Sequence, residues 1–115
     1  MPNTAAERLD IIAQRIVHAP RFAWRPGMLA RDASGFWMRG KPSDGMWPDL
    51  FDPPTIGCLA AMVIESYSEH QQLVMHRDSS TGWTAVASID GNDVAKQIHA
   101  ESFAELLALL LEAAP

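Results

Sequence analysis

The segment from Ser102 to Leu111 carries the strongest structural pattern of the chain and restricts the folds that the rest can adopt. Ser102 is followed three residues later by Glu105, the arrangement of a helix N-terminal capping box. The broad apolar face that follows consists of Phe103, Leu106, Leu107, Leu110 and Leu111. Because such a face must be covered by other elements, the sequence predicts a C-terminal helix packed against the rest of the chain.

A first helix is predicted near the N-terminus from the same kind of signal. Thr4 precedes Glu7 by three residues, which is again the capping-box spacing. The apolar stripe consists of Ala5, Leu9, Ile12 and Ile16. Pro20 cannot continue a helix, so we expect this one to end near His18.

A middle helix is predicted to begin at Asp52. Asp is a favourable N-cap, and Pro53 suits the first helical turn, where its missing N–H costs nothing. The helix should fade near Tyr67. Its predicted apolar face consists of Ile56, Leu59, Met62 and Val63. Its small residues, which allow close backbone approach, are Gly57, Ala60 and Ala61.

A first group of strand-like runs lies between the first two helices. Residues 28–31 and 36–39 flank the turn-forming residues 32–35 and predict a hairpin, and residues 22–24 form a short strand candidate before it. Residues 40–52 have the composition of a loop. We expect that loop to be held to the body of the protein by its large apolar residues, Trp47, Leu50 and Phe51.

A second group of strand-like runs lies between the last two helices. Residues 73–77 and 83–89 flank a turn at 78–82, and the Asp90-Gly91 pair signals another hairpin before a weaker strand at 94–98. Strands and helices are therefore grouped instead of alternating. This order predicts one domain over residues 1–115, an α+β fold with an antiparallel sheet and about three helices packed mainly on one face.

The single cysteine and the N-terminus bear on the expected compartment. Cys58 cannot form a disulfide within the chain, and the N-terminus lacks the charged-then-apolar pattern of a secretory signal. The longest apolar run, near Leu106 to Leu111, is too short to span a bilayer. We expect a cytoplasmic protein without a membrane segment.

Three stretches of the sequence resemble a loose group of small, uncharacterised accessory proteins encoded by tailed phages and prophages. They are WRPGM at 24–28, PDLFDPPTIGCL at 48–59 and ELLALLLE at 105–112, within a similarity that covers roughly residues 22 to 113. Pro54 stands where the group has a small residue such as Ala. The resemblance implies a phage gene expressed in a bacterial host, where such proteins often bind and disable a host protein. It assigns no role to any residue.

Enzymatic and metal-binding chemistry has weak support in the sequence. Cys58 lies early in the middle helix, where a thiol can be activated, but its apolar and small neighbours favour a packing role. None of the four histidines has metal-ligand spacing, although His76 and His99 are placed to face each other on neighbouring strands. A small enzyme with a site near Cys58 remains an alternative, and the sequence predicts no cofactor and no metal site.

The most informative candidate site is a basic stretch with interleaved aromatic residues. Residues 21–41 contain five basic side chains and one acidic one, whereas the whole chain has a net charge of −5. The predicted partner-binding residues are Arg25, Arg31, Trp37, Arg39 and Lys41. Cations beside rings suit a protein interface, and they suit single-stranded nucleic acid as an alternative. The acidic remainder is either a solubilising surface or a mimic of nucleic acid.

Overall fold

The computed structural model describes residues 4–40, 42–67, 71–78, 82–89 and 95–114. In chain order the elements are α1 (Ala5–Ile16), β1 (Leu29–Arg31), β2 (Trp37–Arg39), β3 (Trp47–Pro48), α2 (Pro53–Ser66), β4 (Gln71–Asp78), β5 (Gly82–Ile89), β6 (Ala95–Ala100) and α3 (Phe103–Ala113). Three helices and two three-stranded antiparallel sheets confirm the predicted α+β class. The strands form two sheets, where the sequence predicted one.

Helix α1 forms as its capping residues predict. The Thr4 hydroxyl accepts from the backbone N–H of Glu7, and the Glu7 carboxylate accepts from the backbone N–H of Thr4, so the capping box is complete. The buried side of α1 consists of Leu9, Ile12, Ala13 and Ile16. The helix ends two residues before the predicted position.

The small sheet has the strand order β2-β1-β3. The predicted hairpin is confirmed, with Ala30 opposite Met38, but residues 22–24 form no strand. There, Phe22 packs its ring edge-on against Trp24, with 5.3 Å between the ring centroids. The 40–52 segment was expected to be only a loop. It contributes β3 because Trp47 is buried and pairs with Arg31.

Helix α2 begins and ends where its sequence predicts. Asp52 caps it, Pro53 occupies the first turn, and Tyr67 follows its last residue. The buried residues of α2 are Thr55, Leu59, Met62 and Val63. The Tyr67 hydroxyl donates to the backbone carbonyl of Leu110 at 2.7 Å, which joins the end of α2 to α3, and burial raises the pKa of Tyr67.

The large sheet has the strand order β4-β5-β6. Its register places Met75 opposite Ala85, and Ala85 opposite Ile98, on one face. On β5 this face has two small, buried residues, Ala85 and Ala87, which let a helix approach closely, and Trp83, which packs against Phe103 of α3. Strands β4 and β5 match the two strands predicted at 73–77 and 83–89. The Asp90-Gly91 hairpin signal and the start predicted for the third strand lie outside the described residues.

Helix α3 forms the centre of the core. It packs against α1, α2, β5 and β6, and four of its leucines have no exposed surface: Leu106, Leu107, Leu110 and Leu111. Each contributes about 1.5–3 kcal/mol through burial. Ser102 caps α3 as predicted, but the Glu105 carboxylate accepts from the N–H of Glu101 and not from that of Ser102. In the described part of the chain, no helix is long and apolar enough to span a membrane.

Substitutions at two glycines distinguish the energetic cost of backbone strain from that of a steric clash. Gly82 and Gly35 have φ angles of +103° and +89°. A Cβ on Gly82 would lie 2.6 Å from the backbone oxygen of Ala100, whereas one on Gly35 would have no neighbour within 4 Å. We expect Gly35→Ala to lower the free energy of unfolding by about 1–2 kcal/mol and Gly82→Ala by about 3 kcal/mol or more. Urea denaturation of both variants measures this difference, and equal losses would contradict the packing of β5 against β6.

Candidate functional site

The turn between β1 and β2 is fixed by the carboxylate of Asp32. Its Oδ1 accepts from the backbone N–H and hydroxyl of Ser34, at 2.9 and 2.6 Å, and from the backbone N–H of Phe36 at 3.1 Å. The hydroxyl of Ser34 is the main reason why the pKa of Asp32 is lowered. Gly35 supplies the left-handed conformation that closes the turn. The aromatic residues that follow are therefore held in a defined position.

Large aromatic side chains are exposed directly after this turn and directly before Asp52. Trp37 is 65% exposed, and Phe36 and Phe51 are also exposed. Alternation along β2 places Trp37 and Arg39 on the same face. We call Phe36, Trp37, Arg39 and Phe51 together the aromatic surface. Exposed Trp and Phe side chains are costly in water, and a group of them is typical of an interaction site.

Arg39 connects the aromatic surface to α2 through a bidentate ion pair. Its guanidinium donates to both carboxylate oxygens of Asp52, at 2.9 and 3.0 Å, and to the backbone oxygen of Gly27 at 2.6 Å. The backbone N–H and hydroxyl of Thr55 also donate to Asp52. The Thr55 hydroxyl accepts from the backbone N–H of Leu29 at 2.8 Å. Strands β1 and β2 and the start of α2 are thus joined at one carboxylate.

This arrangement stabilises the charged form of Asp52. The hydrogen bonds from Arg39 are the main cause, and those from Thr55 add to them, so the pKa of Asp52 is lowered to about 2. The Asp52 side chain is largely shielded from solvent, whereas that of Arg39 is half-exposed. The pair therefore anchors Arg39 while one side of its guanidinium stays accessible.

Arg31 lies between two tryptophans in the sheet register. It is opposite Trp37 on β2 and opposite Trp47 on β3, so the three side chains share one face. Its guanidinium lies 3.6 Å from the Asp10 carboxylate of α1. The Trp47 indole N–H donates to that carboxylate at 3.4 Å. Arg31 is thus engaged by the helix that packs on the sheet.

Arg25 lies at the opposite end of α2 from Arg39. Its guanidinium forms an ion pair with Glu65, which is the main cause of its raised pKa. It also borders an open groove of about 320 Å³. The groove is lined by Trp24, Arg25, Pro26, Gly40 and Pro42. The groove is mainly apolar, with an indole and two proline rings, and Arg25 is the charged residue among the described residues that line it.

The structure brings together only part of the predicted partner-binding set. Trp37, Arg39 and Arg31 lie within one short sheet, whereas Arg25 is set apart beside Glu65. Lys41 lies outside the described residues. The three arginines each have a carboxylate partner within the chain, so they have a structural use in addition to the predicted binding role.

Two members of the aromatic surface were not predicted as site residues. Phe51 was expected to hold the loop to the core and is exposed instead, because Trp47 and Leu50 fill that position. Phe36 was placed in the hairpin and among the rings of the basic stretch, but not among the partner-binding residues. The turn signal at residues 32–35 could have indicated its exposure, because residues at hairpin ends face solvent.

The alternative site at Cys58 gains no hydrogen-bonded base among the described residues, and the cation near it, Arg25, is ion-paired with Glu65. The thiol is half-buried, and its sulfur lies 3.9 Å from the backbone oxygen of Pro26. Among the described residues, no histidine or carboxylate is hydrogen-bonded to Cys58. The packing role that the sequence favoured agrees with this environment.

The histidines do not adopt the predicted arrangement. His76 and His99 lie in one row of the large sheet, but Thr84 of the central strand separates them, so they are not on neighbouring strands. The Thr84 hydroxyl lies 3.0 Å from Nδ1 of His99. His18 is exposed beside a depression between α1 and β3. In the described ranges, no three His, Cys, Asp or Glu side chains are grouped as metal ligands.

The chain matches no protein-family model, no curated protein sequence and no solved structure. Its function must therefore be argued from its own residues and their geometry.

The Asp52 site predicts a specific loss of stability in acid. The pKa of Asp52 is about 2 in the folded chain and 3.8 in its ordinary state, so its contribution is complete above about pH 4 and is lost as the pH falls towards 2. Asp52→Asn keeps a capping side chain but removes the charge. We expect it to lower the free energy of unfolding by about 1–2 kcal/mol at neutral pH and by almost nothing near pH 2.

Urea denaturation of both proteins at several pH values measures this difference. Arg39→Gln serves as the second arm of a double-mutant cycle, and it should have little further effect in the Asp52→Asn background. A loss of stability that is independent of pH would show that the charge of Asp52 is not what joins these elements.

Proposed function

We propose that this chain is a small phage-type accessory protein that binds a host or phage protein through its aromatic surface. One form of this action is the inhibition of a host enzyme or defence protein in the bacterial cytoplasm. The phage context rests on the sequence resemblance of residues 24–28, 48–59 and 105–112. The binding activity rests on the aromatic surface.

The exposure of Trp37 is the observation that carries the proposal. Trp37 leaves 65% of its surface in water although the core has buried other large apolar side chains, including Trp47. Trp and Arg are the residues that most often dominate the binding energy of protein interfaces. Trp37 and Arg39 lie two residues apart on one face of β2, and Phe36 and Phe51, which adjoin Trp37 and Asp52 in the sequence, are also exposed.

The anchoring of these side chains supports the same function. Asp32 fixes the turn before Phe36, and Asp52 fixes the guanidinium of Arg39. A binding surface that is already ordered loses less conformational entropy when the partner docks. Ordered, exposed aromatic side chains therefore favour tight contact with a partner of complementary shape.

The ion pairs favour a protein over single-stranded nucleic acid as the partner. A groove for nucleic acid combines rings with cations that neutralise phosphates. Here Arg31 and Arg39, which share the sheet face of Trp37, are bound by Asp10 and Asp52. Binding of phosphates at these positions would have to compete with those carboxylates, whereas an apolar protein surface would not.

The small-enzyme alternative near Cys58 has less support. A nucleophilic thiol needs a neighbouring base or cation that stabilises the thiolate. The hydrogen bond shown for Cys58 goes to a backbone carbonyl, and the nearby Arg25 guanidinium is already ion-paired with Glu65. A binding role requires no such group.

The proposed function predicts that Trp37→Ala removes partner binding without destabilising the fold. The tagged protein is incubated with bacterial lysate, with and without nuclease, and bound proteins are identified by mass spectrometry. The partner is then purified, and its affinity is measured by calorimetry. We expect Trp37→Ala to weaken binding about 30-fold or more, because an aromatic anchor commonly contributes 2 kcal/mol or more.

Val74→Ala is the matched control, because Val74 is an exposed apolar residue on the large sheet, away from the aromatic surface. It should bind like the wild type, and both variants should unfold at the wild-type urea concentration. A partner that is lost with nuclease would favour the nucleic-acid alternative. A partner that binds Trp37→Ala as tightly as the wild type would exclude the aromatic surface as the interface.

A further inference from the structure

The face of the large sheet that is turned away from α3 carries a row of three polar residues. The register places His76 of β4 opposite Thr84 of β5, and Thr84 opposite His99 of β6. Residues directly opposite each other point to the same side of a sheet, so the two imidazoles flank the threonine. The other face packs on α3, where Trp83 contacts Phe103. The row therefore lies on the side of the sheet that α3 leaves open.

The middle residue of this row is shielded from solvent, whereas the outer two are accessible. Thr84 is 2% exposed, and His76 and His99 are both exposed. The Thr84 hydroxyl lies 3.0 Å from Nδ1 of His99, so the imidazole of His99 leans from its edge strand towards the middle of the sheet. When Nδ1 donates to the hydroxyl, Nε2 carries the free lone pair of the ring. Such a ring is oriented in the way that a metal-binding histidine usually is.

The spacing of the row allows both imidazoles to reach one ion. Strands β4 and β6 are separated by two strand spacings, which is about 9–10 Å. Two nitrogens that bind the same ion at about 2.0–2.1 Å lie about 3–4 Å apart, so each ring has to lean about 3 Å towards β5. The hydrogen bond to Thr84 already directs His99 that way. In the described part of the chain, no hydrogen bond holds the His76 ring in another direction.

The donor set indicates which ion suits the row. Zinc sites use three or four protein ligands, and the described residues contain no such group of His, Cys, Asp and Glu side chains. Copper(II) has the highest affinity of the divalent first-row ions for nitrogen and oxygen ligands, and it favours a tetragonal arrangement of them. The described residues on this face include no Lys or Arg that would repel a cation, and the chain has a net charge of −5.

We propose that His76 and His99 together bind one copper(II) ion above Thr84, through two imidazole nitrogens and with water in the remaining positions. The Thr84 hydroxyl is a positioning group, because it orients the His99 ring and does not touch the ion. The site lies on the large sheet and uses no residue of the aromatic surface, so it is independent of the proposed partner protein.

Titration with copper(II) chloride, followed by calorimetry and by electron paramagnetic resonance, tests this site. The chain is prepared without a polyhistidine tag and in a Cys58→Ala background, because a thiol would compete as a copper ligand. We expect one ion per chain and a spectrum with nitrogen coupling from two imidazoles. His76→Asn and His99→Asn should each weaken binding at least about 10-fold and leave the coupling of a single imidazole.

His18→Asn is the matched control, because His18 is also exposed but follows the end of α1, and this variant should bind copper(II) like the background protein. Thr84→Val keeps the shape of the side chain but removes its hydroxyl, and it should weaken binding about 10-fold. The three histidine variants should unfold at the urea concentration of the background protein. Absence of copper(II) binding, or equal losses in His18→Asn and His99→Asn, would overturn the inference. An unchanged affinity of Thr84→Val would overturn the positioning role of the hydroxyl.

Discussion

The carboxylate of Asp52 is the interaction on which the arrangement of the small sheet and α2 depends. It caps α2, binds both terminal nitrogens of the Arg39 guanidinium, and accepts from the hydroxyl of Thr55. Thr55 has no exposed surface, and its hydroxyl is also the acceptor for the backbone N–H of Leu29 in β1. A buried polar group without its partner is costly, so these contacts are retained or lost together. They hold Arg39 of β2 against the start of α2. Because Trp37 is on the same strand and Phe51 directly precedes Asp52, they also position these two residues relative to each other.

Basic and acidic residues that lie in different parts of the sequence form ion pairs with each other in the folded chain. The basic stretch at residues 21–41 faces acidic side chains from other parts of the chain, because α1 supplies Asp10 and the two ends of α2 supply Asp52 and Glu65. Exposed ion pairs contribute little energy each, but they select which elements lie side by side. The charge pattern that suggested an external partner is thus largely explained by contacts within the chain. What these contacts leave unexplained is the exposure of apolar side chains such as Trp37.

The helices could be predicted from local sequence signals. Strand β3 and the geometry of the site could not, because they depend on contacts between residues that are distant in the sequence. The caps Thr4, Asp52 and Ser102 act within one turn, so the sequence could place all three helix starts. The 28–39 hairpin and the 73–89 strand pair follow from alternation and from the turn residues. Strand β3 could not be predicted, because two residues form a strand only when β1 is present beside them. The same limit applies to the site: Trp37 and Arg39 were recognisable by residue type, but the Arg39–Asp52 pair and the exposure of Phe51 depend on how the loop folds back.

The division between core and surface explains how a domain of this size can expose so much apolar area. Helix α3 contributes four completely buried leucines and contacts both other helices and the large sheet, so the fold is held by an element that carries none of the exposed aromatic residues. Trp37 and Ile64 add little to that core. A side chain that does not stabilise the monomer and is unfavourable in water is most simply explained by contacts made outside the monomer. The aromatic surface has this property. The Asp52 contact holds one of its members, Arg39, against the start of α2.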